Sequence, residues 1–172
     1  MEMSLQKYID RKEIRKRVKE IAEKISSDYR GKTPVMVGVL KGAVVFMTDL
    51  IREIDLPVEL DFIAVSSYGS STKTSGIVRI LKDLDQNIED REVIIIEDII
   101  DTGLTLQYLK ETLYQRKPSS LCLAALLDKP ERRQVNIKAD YVGINIPDKF
   151  VVGYGLDFNE QYRNLPDIFI ME

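Results

Sequence analysis

Three stretches of the chain carry apolar residues without alternation, and each ends in a short polar turn. Val93 to Ile96 runs into Glu97-Asp98, Pro34 to Leu40 into Lys41-Gly42-Ala43, and Ser120 to Leu127 into Asp128-Lys129-Pro130. A run with no polar side belongs to a strand covered on both faces, as in a parallel sheet. Between these runs the spacing becomes helical. Ile14, Val18, Ile21 and Ile25 recur every three or four residues behind Asp10 and Glu13, a pair suited to capping a helix. That helix is expected to end near Tyr29 to Gly31. A second is expected from Val44 to about Ile54. A third runs from near Gly103 to about Arg116, with Leu106, Leu109 and Leu113 on one side and Pro118 beyond its end. Val58 to Val65 alternates before it turns apolar, as a less buried strand does. Gly76 to Leu81 reads as the returning strand of a hairpin, and Tyr141 to Ile146 as one more strand. Strands alternating with helices predict an α/β fold with a mostly parallel central sheet flanked by helices.

Open α/β sheets bind ligands outside the carboxyl ends of their strands, so the polar turns are where chemistry is expected. Glu97 and Asp98 follow the most apolar run, and Asp101, Thr102, Gly103 and Thr105 lead into a helix. A helix N-terminus with free amides suits a phosphate. The two threonines add hydroxyl donors, and Gly103 lets backbone approach an anion. The acids upstream suit sugar hydroxyls or a hydrated Mg²⁺. One loop thus offers a phosphate cradle beside a diol or metal site. Lys41 and Lys129 also lie just past apolar strands, although each alone reads better as a solvated charge.

Composition narrows the classes. The chain has 172 residues, 44% hydrophobic and 31% charged, an ordinary balance for one globular domain with a real core. A net charge of −3 argues against a general nucleic-acid binder. Histidine is absent, which removes His-based zinc sites and Ser-His or Cys-His catalysis. Cys122, the only cysteine, sits in an apolar run and reads as a buried core thiol. No apolar run approaches membrane-spanning length, and Met1 to Lys7 does not resemble a signal peptide. A cytoplasmic enzyme or binding protein is expected, without repeats, linker or second domain.

The segment Glu97-Asp98-Ile99-Ile100-Asp101-Thr102-Gly103-Leu104-Thr105 closely resembles the phosphoribosyl-pyrophosphate (PRPP) loop of the 6-oxopurine phosphoribosyltransferases. The resemblance extends from about Pro34 to Pro166, and more loosely over the N-terminal helix. It implies a single domain over residues 1–172, with a core at about 34–146 and a small hood from the N-terminal segment and about 147–172. It also implies Mg²⁺-dependent transfer of the phosphoribosyl group from PRPP to hypoxanthine or guanine, in a homodimer or homotetramer without nucleic-acid or membrane partners. Leu40-Lys41-Gly42-Ala43 resembles the family's pyrophosphate loop, where Leu-Lys-Gly-Gly is usual, and implies a non-proline cis peptide at Leu40-Lys41. Ser67-Tyr68, within the small polar stretch Ser66 to Gly76, matches the family's catalytic lid. Lys129 takes the place of the lysine that donates to the purine 6-oxo group. Phe150 takes that of the stacking aromatic, and Val151 that of the residue whose backbone reads the base edge. Asp157 corresponds to a ligand of a second Mg²⁺ beside the purine, with Glu97 and Asp98 as the other metal candidates, and Arg163 to a pyrophosphate contact. Asp101 is placed to accept the proton that the purine loses from N7.

Two other classes fit parts of the pattern. A ligand sensor on the same fold would need a DNA-binding domain or a basic face, and only about 33 residues precede the first expected strand. A receiver-like domain also places acids after an apolar strand, but leaves Thr102-Gly103-Leu104-Thr105 and the Phe150 region without a role.

Overall fold

The computed structural model describes residues 4–67 and 78–172. Tyr68 and most of the expected lid lie outside the described residues. Six strands form the main sheet: β2 (Val35–Leu40), β3 (Glu59–Ser67), β4 (Val78–Lys82), β5 (Glu92–Ile100), β6 (Ser120–Asp128) and β7 (Tyr141–Asn145), in the order β4-β3-β2-β5-β6-β7. All neighbours are parallel except β3 and β4, which pair antiparallel as the expected hairpin and put β4 at the sheet edge.

Both faces of this sheet are covered, which accounts for the runs without alternation. Met36, Ile94 and Ile96 pack with α1 (Arg11–Asp28) and α2 (Ala43–Glu53) through Ile14, Ile21, Ile25, Phe46 and Leu50. Val35, Val37, Val93 and Ile95 face the other way, onto Leu106, Leu109 and Leu113 of α3 (Leu104–Tyr114). Burying each such side chain contributes about 1.5–3 kcal/mol. Gly38 interrupts β2 because α2 crosses closely there: a Cβ would sit 2.3 Å from Met47 Sδ. Asp10 caps α1 as expected, accepting from Lys12 N and Glu13 N at 2.9 Å. Glu13 does not return the bond; its carboxylate goes to Arg17, one turn on, at 2.7 Å. Cys122 is partly exposed at the margin of the core, not fully buried. Among the described residues, no helix is long and apolar enough to cross a membrane.

A smaller antiparallel sheet was not visible in the apolar pattern. It joins β1 (Leu5–Ile9), β9 (Ile168–Met171) and β8 (Val151–Val152) in the order β1-β9-β8. Ser4 and Glu172 exchange backbone hydrogen bonds beside it. The arrangement positions the site. From β2 the chain crosses to β3 on one side, and from β5 to β6 on the other. The connections therefore diverge between β2 and β5, where such sheets open a ligand crevice. Lys41-Gly42 and the Asp101–Thr105 loop emerge on its two sides.

Candidate active site

The loop after β5 is braced from behind. Gly103 precedes α3 with φ +84, a left-handed conformation that favours glycine. A Cβ there would lie 2.5 Å from Ile137 Cγ2 and 3.1 Å from Arg133 Cδ. The glycine thus makes room for the segment after β6, a packing reason beyond the anion approach expected of it. Gln134 N donates to Thr102 O at 2.9 Å, and Arg133 Nη1 to Asp101 O at 2.7 Å. Arg133 also pairs with Asp128 at the end of β6. Thr102 Oγ1 accepts a long 3.4 Å bond from Leu104 N. Thr105 lies in the first turn of α3, whose leading amides have no intrahelical acceptor.

Glu97 and Asp98 end the buried part of β5 side by side. Glu97 Oε1 accepts from Asp98 N at 3.0 Å, and Asp98 Oδ1 from Ile99 N at 2.7 Å. Burial pushes both carboxyls above their usual range, Glu97 strongly, with the Asp98 charge adding to the effect. The Arg163 charge pulls Asp98 the other way. The pair therefore sits where a cation is favoured.

Two glycines bring the other loops onto this pair. A Cβ at Gly42 would fall 1.8 Å from Asp98 Oδ2, and one at Gly155 only 2.2 Å from Gly42 O. The Leu40-Lys41 peptide is cis, as the resemblance implied. Arg163 Nη1 donates to Gly155 O at 2.8 Å and lies 3.2 Å from Asp157 Oδ1. Glu160 pairs with both Lys41 and Arg163. Tyr154, between Gly153 and Gly155, donates its hydroxyl to Asp49 of α2 at 2.5 Å and fastens this region to the helix behind the Lys41 loop.

Lys129 is 6% exposed, with its ammonium 3.9 Å from Asp148 Oδ1. Arg132 links this end to the phosphate loop: Nε donates to Asp101 Oδ1 at 2.9 Å, and Nη1 lies 3.7 Å from Asp148 Oδ2. Phe150 is 51% exposed, so it is no core residue; it meets Phe158 edge-on at 5.9 Å between ring centroids. Val151 is buried in β8, paired with Ile170. Leu104 is partly exposed at the start of α3. The structure thus brings Lys41, Gly42, Asp98, Asp157 and Arg163 into one connected group, and links Asp101 to Lys129 through Arg132 and Asp148. Arg132, Arg133, Asp148 and Glu160 received no role from the sequence. Their only signal there was charge, which a solvated surface also carries.

A mostly parallel sheet whose connections diverge at β2/β5, with paired acids and a glycine-led helix terminus after β5 and a lysine loop after β2, fits a protein that handles a phosphorylated sugar. The chain belongs to the phosphoribosyltransferase family: residues 5–159 match its phosphoribosyl transferase domain. The match takes in α1, where the resemblance was loose. The chain is 54% identical over 164 residues to the hypoxanthine-guanine phosphoribosyltransferase of Bacillus subtilis, covering 95% of this chain and 91% of that protein. Among solved structures, a hypoxanthine-guanine phosphoribosyltransferase from Bacillus anthracis aligns with a TM-score of 0.92 at 50% identity, covering 96% and 97% of the two chains. A hypoxanthine phosphoribosyltransferase from Staphylococcus aureus aligns with a TM-score of 0.94 at 48% identity, covering 97% of this chain and 91% of that one.

Proposed function

We propose that this chain transfers the 5-phosphoribosyl group of PRPP to N9 of hypoxanthine or guanine, giving IMP or GMP and pyrophosphate, in purine salvage. The observation that carries the reading is the approach of Gly42 to both Asp98 and Gly155. It brings the lysine loop onto the acid pair, and the Gly155 backbone that holds Arg163 onto that loop.

Each group then has a task. The Asp101–Thr105 loop holds the 5′-phosphate and fixes the approach of base to sugar. Lys41 and Arg163 take the charge of the departing pyrophosphate. Glu97 and Asp98 hold the ribose hydroxyls and face the positive charge that develops on the sugar. As the N9–C1′ bond forms, the C1′–pyrophosphate bond breaks and the N7 proton passes to Asp101. Asp101 Oδ1 is engaged by Arg132, which leaves Oδ2 for that proton. Lys129 donates to the 6-oxo group, Phe150 stacks on the purine, and the backbone of Val151 reads its edge. Ser67 and Tyr68 belong to the covering lid in this reading.

Glu97 and Asp98 fit Mg²⁺, which takes one or two carboxylates and fills its remaining positions with ligand oxygens and water. Asp157 fits less well as it stands, since Arg163 occupies Oδ1 and Glu160 N occupies Oδ2. Among the described residues no three such side chains converge to make a protein-only metal cage. Bound at the acid pair, the ion would neutralise charge on the PRPP oxygens. The reading extends to a homodimer or homotetramer working in the cytoplasm. Pyrophosphate release from PRPP, measured with and without hypoxanthine, tests the function; release that is independent of the base would overturn it.

A further inference from the structure

Glu160 lies between the two cations of the proposed pyrophosphate site. Its Oε2 is 2.9 Å from Lys41 Nζ, and its Oε1 is 3.3 Å from Arg163 Nη2. The placement is built into a tight turn. The backbone enters the left-handed region at Asn159, Glu160 and Tyr162, with φ of 49, 64 and 75. That region is unfavourable for residues with a Cβ, so the turn has to be held by its bonds. Phe158 and Gln161 exchange backbone hydrogen bonds across it, and Glu160 N donates to Asp157 Oδ2 at 2.9 Å. The result aims one carboxylate at two cations, one of them on a loop 119 residues earlier.

The bond is made to be exchanged. The Lys41 and Glu160 side chains are 68% and 64% exposed, so solvent and salt screen their attraction and the pair is weak. Diphosphate oxygens carry more charge than a carboxylate and reach the same two cations.

We propose that Glu160 is an internal counter-anion of the pyrophosphate site. It holds Lys41 and Arg163 in position when no ligand is present, yields both to the diphosphate group on binding, and returns as pyrophosphate departs. It is a positioning residue that touches no reacting atom. This deepens the phosphoribosyltransferase reading and rests on it. Glu160 therefore weakens the hold on pyrophosphate and on the diphosphate end of PRPP.

The test is Glu160→Gln in the full chain, with the inhibition constant of pyrophosphate, KM for PRPP and kcat measured at low and high salt. Expected is pyrophosphate binding about threefold to tenfold tighter at low salt, with a smaller gain at high salt. KM for PRPP falls with it, and kcat does not rise. Glu160→Ala behaves likewise, whereas Glu160→Asp, which keeps the charge, moves the constant back toward the unsubstituted protein. Lys41→Gln separates the two levels of the argument. If it leaves pyrophosphate binding unchanged, the assignment of the site fails. If it weakens binding while Glu160→Gln leaves the constant the same or weakens it, Glu160 is not the counter-anion.

Discussion

Replacing Gly42 by alanine tests whether the lysine loop and the acid pair work as one unit. The backbone at Gly42, φ −55 and ψ −40, suits alanine, so any effect comes from space alone. The added Cβ would lie 1.8 Å from Asp98 Oδ2, where ordinary contact begins at 3.4 Å, so the oxygen has to retreat by about 1.6 Å. It is not free to turn, because Oδ1 of the same carboxylate holds Ile99 N at 2.7 Å. Losing that bond costs about 1–3 kcal/mol. The restricted unfolded chain offsets about 0.4–1 kcal/mol. The balance of about 1–2 kcal/mol lowers Tm by about 3–6 °C for a chain of this size. A reacting group displaced by more than 1 Å typically costs about 10²-fold, so kcat/KM for PRPP should fall by about that factor. Pyrophosphate release at varied PRPP and a thermal melt measure both. A kcat/KM within twofold of the unsubstituted protein, with Tm unmoved, would refute the coupling. Gly155→Ala should be more destabilising, because its Cβ meets the backbone oxygen of Gly42 at 2.2 Å from φ +95, and no side-chain rotation relieves that.

Three further outcomes follow from other parts of the site and frame. Asp101→Asn should lower kcat by about 10²-fold with little change in PRPP affinity, and an unchanged kcat would remove Asp101 as the base. Lys129→Gln should weaken hypoxanthine use and narrow the gap to adenine, because an ammonium has only donors to offer whereas an amide also accepts; kcat/KM for both bases in both proteins decides it. Asp167 is held far below the usual carboxylate range by the Arg11 side chain and backbone, with Lys7 adding to the effect. A depressed folded-state pKa means that the unfolded chain binds more protons in acid. Its stabilisation is therefore complete above about pH 4 and declines as pH falls further. The Tm gap between the protein and Asp167→Asn should shrink from pH 7 toward pH 2, and a constant gap would contradict the argument.

The parts of the fold legible in the sequence are those whose burial leaves a local signature. Val93 to Ile96 could not alternate because α2 covers one side and α3 the other. The edge position of the β3–β4 hairpin showed as alternation. The small sheet left no such mark. Most of β1 is exposed, β8 has two residues, and the pairing joins segments more than 150 residues apart, so no local window holds it. Within the site, the strand-end residues were readable because a strand's end is readable. Arg132, Arg133 and Glu160 were not, since a charge bonded across a cleft has the same composition as one facing water. The cis peptide at Leu40-Lys41 came from resemblance alone; nothing in residue chemistry at that point suggests it.

The two sheets differ in how firmly they are held, and the site is divided between them. The phosphate loop hangs from β5, whose residues Ile94 to Ile96 are fully buried at the centre of six strands. Phe150 and Val151 sit at β8, a two-residue strand at one edge of a three-stranded sheet whose other edge, β1, is mostly exposed. Local openings begin where few apolar groups are buried and spread inward at rising cost. Amide exchange is therefore expected to be faster in β1, whose first four residues are exposed, than at Ile94 to Ile96.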